Sequence, residues 1–149
     1  YSISHSANEA GADWLQQTVG NDYEVIKWEV VDHEITHIDS TLLTLNENTV
    51  IVNASRVKKQ DLPNFMQDYK KIWIDDIVPR DFRHFPKASK WIGMNLLSLD
   101  PETILVDDIQ VKLKEKLEAN NLNVISTPMR QSRTLGGGFH CVTCDLERE

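Results

Sequence analysis

Apolar and polar residues recur along this 149-residue chain with spacings that predict a short series of helices and strands. Ser6 to Gly20 reads as a helix: Ser6-Ala7-Asn8-Glu9 has the form of a capping box, Ala10, Trp14 and Leu15 recur on one face, and Gly20 can close the end. Tyr23 to Val31 places Ile26, Trp28 and Val30 on one side, as a strand does, and Asp32 to Thr36 is polar enough for a loop. His37 to Leu45 is a second predicted strand, turning at Asn46-Glu47-Asn48 into a third from Thr49 to Asn53. Asp61 can cap a short helix with Pro63 in its first turn and Leu62, Phe65, Met66 and Tyr69 at helical spacing. Lys71 to Asp75 is a compact apolar strand, and Asp76 to Lys90, with Pro79 and Pro86, is a long irregular connection of the kind that is often functional.

The pattern then starts again. Met94 to Asp107 aligns without gaps on Ser40 to Asn53, matching Leu42 with Leu96, Leu43 with Leu97, Leu45 with Leu99, Thr49 with Thr103 and Val52 with Val106 at a constant offset of 54 residues. A helix and a strand follow each copy; in the second, Ile109, Leu113 and Leu117 mark the helix and Leu122 to Thr127 the strand. A strand-strand-helix-strand unit repeated at about 50 residues is the mark of modular rings or arrays. Two copies with a leading helix and strand are too few to close a ring, and they leave strand edges that natural proteins cover.

Composition narrows the class. With 149 residues and 40% apolar content the chain can build one domain with a real core. No run of some 18 apolar residues is present to span a membrane, and no secretory signal opens the sequence. A net charge of −7 without a basic block argues against nucleic acid as a partner. Two cysteines without framework spacing fit a reducing compartment, so a cytoplasmic location is expected. A chain that opens on Tyr1 rather than Met and stops eight residues after Cys141 reads as a segment of something longer.

The candidate chemistry lies near the C-terminus. Gly136-Gly137-Gly138 allows backbone conformations and close approaches that side chains forbid, and Cys141 follows three residues later. Phe139 to Leu146 is rich enough in β-branched and aromatic residues to be a strand, which puts Cys141 at its mouth as a candidate nucleophile. A cysteine is as often a small buried hydrophobe. Cys141 and Cys144 also form a C-x-x-C, but no second ligand pair suits zinc, and on a strand two sulfurs three residues apart diverge. The same parity separates His140 from Cys141, so a histidine partner has to come from His5, His33, His37 or His84. His37 stands out, because Asp39 two positions on shares its strand face and the pair can serve acid-base chemistry or grip a cation. Solvent-facing residues at a strand entrance have the same spacing. Arg56 could clamp a carboxylate or simply be an exposed charge, and Ser89 is of a type common in turns and caps.

Together these residues resemble the amidinotransferases. His37-Ile38-Asp39, the tract Ser89-Lys90-Trp91-Ile92-Gly93-Met94-Asn95, and above all Leu135-Gly136-Gly137-Gly138-Phe139-His140-Cys141-Val142-Thr143-Cys144-Asp145 carry the likeness, which runs in order from about Glu9 to Arg148. The match is to arginine:glycine amidinotransferase and relatives that transfer to other amines. The cysteine motif is highly specific, whereas His-x-Asp alone would be weak.

The resemblance implies a pentein-type α/β propeller of ββαβ modules, here an incomplete one. Residues 1–149 would be the C-terminal part of a single propeller domain, with modules at about 37–90 and 91–134 and the cysteine loop at 135–146. It implies transfer of an amidino group from L-arginine to an acceptor amine, glycine by default, with Cys141 as nucleophile, His37 as acid-base, and Asp39, Arg56 and Ser89 binding substrate. Neither metal nor organic cofactor is called for. The family also uses carboxylates from a segment lying before Tyr1, so this piece alone is expected to be nearly inactive and could pair with that missing part or form a homo-oligomer. Glu34 stands three residues before His37, where the glycine enzymes carry an amide, which bears on the acceptor. An arginine deiminase-like hydrolase and a non-catalytic, partner-binding half-propeller are the alternatives.

Overall fold

The structure, a computed structural model, describes residues 1–29, 37–79 and 89–147. The loop expected over 32–36, with Glu34, and residues 80–88 of the long connection, with His84 and Pro86, lie outside the described residues. The chain opens with β1 (Ser2–Ile3), α1 (Glu9–Val19) and β2 (Trp28–Glu29), β1 and β2 pairing in parallel. The cap of α1 is Asn8 rather than Ser6; its Oδ1 accepts from the Gly11 amide at 2.9 Å, and Gly20 closes the end at φ 66°, a conformation that suits glycine. Ala12, not the face of Ala10 and Trp14, is the buried position of this helix, and Trp14 is 64% exposed.

Two three-stranded sheets of the same order follow. In the first, β3 (Leu42–Asn46) runs antiparallel to β4 (Thr49–Asn53), and β4 runs parallel to β5 (Lys70–Ile74), pairing Ile51 with Ile72. In the second, β6 (Leu97–Ser98) is antiparallel to β7 (Thr103–Asp107), and β7 is parallel to β8 (Asn123–Thr127), pairing Leu105 with Ile125. β4 and β7 sit at the 54-residue offset of the sequence repeat. Both are central strands, which is why their sequences TVIVN and TILVD are almost continuously apolar.

The parallel crossovers differ. In the second unit α2 (Val111–Glu118) buries Leu113 and Leu117 against the sheet. In the first, the expected helix is replaced by two 3-10 turns, Lys59–Asp61 and Asn64–Met66. Pro63 lies between them and holds the preceding Leu62 in extended backbone, at ψ 140°, which interrupts a helix. One core joins the two sheets: Leu45, Ile51, Ile72 and Ile74 pack with Met94, Leu96, Ile104, Val106, Leu113, Leu117 and Leu122. Each such side chain contributes about 1.5–3 kcal/mol on burial. This shared core fixes β3 beside β6, and therefore fixes the segments just before them, which carry the site. Among the described residues no helix is long and apolar enough to cross a membrane.

Candidate active site

Three segments meet ahead of β3 and β6. The first is a 3-10 turn, Ile38–Ser40, in place of the strand expected from His37; His37 precedes it in extended backbone and Asp39 sits within it. Its side chains therefore converge through a turn and not through strand parity. The second is a 3-10 turn, Ile92–Met94, with Ser89 at its start: the Ser89 hydroxyl accepts from the Trp91 amide at 3.1 Å. This turn delivers Asn95, 2% exposed, just before β6. The third is the glycine loop, in which Gly136 takes the left-handed conformation at φ 89° to end the turn Ser132–Leu135.

No strand forms over 139–146. His140–Val142 is a 3-10 turn instead, because the amides of Gly138 and Cys141 both donate to Asn95 Oδ1 at 3.0 Å, a convergence that extended backbone cannot make. Tertiary hydrogen bonding here overrides β propensity. What packs against the glycines is Asn95: a Cβ on Gly138 would stand 2.6 Å from the Asn95 carbonyl oxygen and 2.8 Å from Oδ1.

At the centre, Asn95 Nδ2 donates to Asp39 Oδ2 at 2.6 Å and to the Cys141 sulfur at 3.1 Å, and that sulfur lies 3.8 Å from the same carboxylate oxygen. His37, Asp39 and Cys141 each offer a donor atom, and these atoms all lie within 4.8 Å of one another. Asp39 is largely buried, with a side chain 13% exposed, while both cysteines are exposed free thiols. The strand argument against His140 falls with the strand: its Nδ1 is 3.5 Å from Asp39 Oδ2. Cys144 is outside the cluster, its sulfur 3.7 Å from the Asp145 carbonyl.

Arg56 lies one step away. Its Nη1 donates to Ser40 Oγ at 2.8 Å and to Thr41 Oγ1 at 3.2 Å, and its guanidinium carbon stands 6.0 Å from the centre of the Trp91 ring. It thus braces the turn that holds Asp39. Beside the cluster an open cleft of about 470 Å³ runs between β3 and β6, bordered by Leu43, Asn46, Leu97, Ser98, His140 and Asp145.

The base of the glycine loop is tied to β7 by charge. Asp107 receives Arg130 Nη1 at 2.6 Å and pairs with Arg133 Nη2 at 3.1 Å, and the Arg133 Nε donates to the Met129 carbonyl at 2.7 Å. Burial lowers the pKa of the Arg133 guanidinium from its ordinary value, with Asp107 opposing that shift. Arg130 also bonds Asp108 and thereby holds the Asp108 carboxyl below the usual carboxylate range.

No protein-family model matches the chain. It is 41% identical over 149 residues to inosamine-phosphate amidinotransferase 1 of Streptomyces griseus, an alignment that covers 99% of the chain and 43% of that protein. The chain is an amidinotransferase homologue. It is also 31% identical to the L-arginine:L-lysine amidinotransferase of Pseudomonas savastanoi pv. phaseolicola, over 97% of the chain and 40% of the relative. To the mitochondrial glycine amidinotransferase of Xenopus tropicalis it is 29% identical, over 97% of the chain and 34% of the relative. The chain therefore spans roughly two fifths of the length of the curated relatives it matches.

Solved structures agree. The inosamine-phosphate amidinotransferase of Streptomyces griseus superposes with a TM-score of 0.90 at 40% identity, over 99% of the chain and 42% of that structure. The N-terminal domain of ArgZ, an arginine dihydrolase of cyanobacteria, superposes with a TM-score of 0.68 at 16% identity, over 94% of the chain and 48% of that structure, and shares the fold alone. The amidinotransferase homologue thus has the expected pentein-type α/β propeller fold, its two main sheets not closed into a ring.

Among the residues that carry this geometry, Asn95 has little signal in the sequence pattern beyond its place at the end of the tract from Ser89. The 54-residue repeat sets it opposite Thr41, and both are buried polar residues just ahead of a first strand, which is the trace that could have singled it out.

Proposed function

We propose that the whole protein transfers an amidino group from L-arginine to an acceptor amine through a covalent intermediate on Cys141, releasing ornithine. The observation that carries this reading is the convergence of His37, Asp39 and the Cys141 sulfur within 4.8 Å, from segments about 100 residues apart. Asp39 offers a largely buried carboxylate for the guanidinium, 3.8 Å from the sulfur that would attack its central carbon. A bound guanidinium beside the sulfur would favour the thiolate, which is the reactive form. Attack forms the carbon–sulfur bond and a tetrahedral adduct. Breaking the carbon–nitrogen bond to ornithine then needs a proton on the departing nitrogen, which His37, within 4.8 Å of the sulfur, would donate. The acceptor amine attacks the amidino carbon, gives its proton to His37, and the thiolate leaves, so the kinetics are ping-pong.

In this scheme Arg56 and Ser89 serve the substrate from the rim, Arg56 towards its carboxylate. The scheme is organised on modules at about 37–90 and 91–134 with the cysteine loop at 135–146, and it needs no metal or organic cofactor. The 149 residues by themselves, which span roughly two fifths of the relatives' length, are expected to turn over little. The acceptor is open to a panel: the resemblance gives glycine by default, whereas the relative named for inosamine phosphate stands at 41% identity, that for lysine at 31% and that for glycine at 29%. The hydrolase reading keeps the same intermediate and substitutes water, and the fold shared with an arginine dihydrolase supports keeping it in view.

The test is incubation of the whole protein with guanidino-labelled L-arginine and an aminocyclitol phosphate, lysine or glycine. Label should move to one of these amines as ornithine appears. Citrulline as the sole product would overturn transfer in favour of hydrolysis.

A further inference from the structure

The Asn95 carboxamide is held from both ends. Its oxygen accepts from the Gly138 and Cys141 amides at 3.0 Å each, while its nitrogen donates to Asp39 Oδ2 at 2.6 Å and to the Cys141 sulfur at 3.1 Å. Only one orientation of the amide satisfies this arrangement. Turned over, it would set its NH2 against two N–H donors and its carbonyl against the Asp39 carboxylate. The backbone adds to the hold: the Asn95 amide donates to the Ile92 carbonyl at 3.0 Å, and the Asn95 carbonyl accepts from the His140 amide at 3.4 Å.

We infer that Asn95 is the positioning residue of the proposed nucleophile, fixing the Cys141 sulfur against Asp39 through the hydrogen bonds that its carboxamide nitrogen donates to both. This rests on the reading of Cys141 as nucleophile, but its readout does not use amidino transfer. Two consequences of the amide's chemistry set it apart from a structural anchor. An N–H aimed at sulfur stabilises the anion relative to the thiol. It does so without a formal charge, so the thiolate and Asp39 keep a net negative site for a guanidinium, which a lysine or arginine in that place would neutralise. Gly138 is the counterpart, since a Cβ there would stand 2.6 Å from the Asn95 carbonyl oxygen and 2.8 Å from its Oδ1.

The experiment follows alkylation of Cys141 against pH by peptide mass mapping, with Cys144 in the same protein as internal reference. Asn95→Asp keeps an oxygen for the two amides and replaces the donor by a carboxylate oxygen. Its pH midpoint should rise by on the order of one unit, a roughly tenfold loss of Cys141 alkylation rate at a fixed pH below the midpoint, with Cys144 unchanged. Asn95→Ala should move it in the same direction. The unmutated protein supplies a measurement independent of how the variants fold: the Asn95 side-chain amide protons, followed by NMR, should shift with the midpoint of Cys141 alkylation, and Cys141→Ser should remove that shift. An Asn95 amide that does not respond to Cys141 titration, or a folded variant whose Cys141 profile superimposes on the native one, would overturn the inference. Loss of transfer with an intact alkylation shift would count against the nucleophile's proposed reaction and not against the positioning role.

Discussion

The Cys141 sulfur stands 3.8 Å from the Asp39 carboxylate oxygen, across 102 residues of chain. Under the proposed function, a cysteine sulfur and a carboxylate that close suit an electrophilic cation. Asp39→Asn keeps the shape and an acceptor for Asn95 but removes the charge. Removing a buried charged contact costs about 2–5 kcal/mol, so kcat/KM for arginine should fall roughly thirty-fold to a few thousand-fold, measured by ornithine release. An unchanged value would mean that Asp39 does not hold the guanidinium.

The two cysteines should separate cleanly. Cys141 belongs to the cluster, while Cys144 faces the Asp145 carbonyl outside it. Cys141→Ser should abolish label transfer and Cys144→Ser should leave most of it. Equal losses would revive a role for the C-x-x-C pair.

Gly138→Ala tests the close approach of the loop. Its new Cβ would meet the Asn95 backbone oxygen at 2.6 Å and cannot be relieved by a side-chain rotation. The expected outcome is a destabilisation of about 1–3 kcal/mol, read from denaturant unfolding, with a larger fractional loss of activity because the sulfur is displaced.

Acid stability should respond to the Arg130 clamp. The hydrogen bond from Arg130 depresses the native pKa of Asp108. A carboxyl depressed in the folded state adds stability that is fully present above its unfolded pKa of about 4 and is lost as pH falls through the lower native value. Asp108→Asn should therefore lower the unfolding midpoint at neutral pH and flatten the loss on going below about pH 4. Parallel acid limbs for the two proteins would remove Asp108 from the account.

Much of this architecture could be read from the chain because it is written in runs. Thr49–Asn53 and Thr103–Asp107 are apolar throughout their middles, pair on both sides, and repeat at a fixed offset. His37, Asp39 and Cys141 were legible through motif resemblance, and the fold brings all three together. The failures have local causes. Val142 and Thr143 favour strand, but with Gly138 and Cys141 amides turned to one oxygen no ladder can form. That error also discarded His140, which lies against Asp39. Pro63 replaced a helix by turns, and Trp14 proved exposed on a helix that buries only Ala12. Asn95 left only a faint trace, its place opposite Thr41 in the repeat, because its partners Cys141 and Asp39 lie 46 and 56 residues away.

The covalent step is the centre of the account, and trapping it is the most direct measurement. The whole protein is mixed with guanidino-labelled L-arginine without acceptor, quenched in acid and mapped by peptide mass. The label should sit on the peptide bearing Cys141, appear with stoichiometric ornithine, and leave when an acceptor amine is added before the quench. Ornithine release and label transfer with no label ever held on Cys141 would contradict the mechanism.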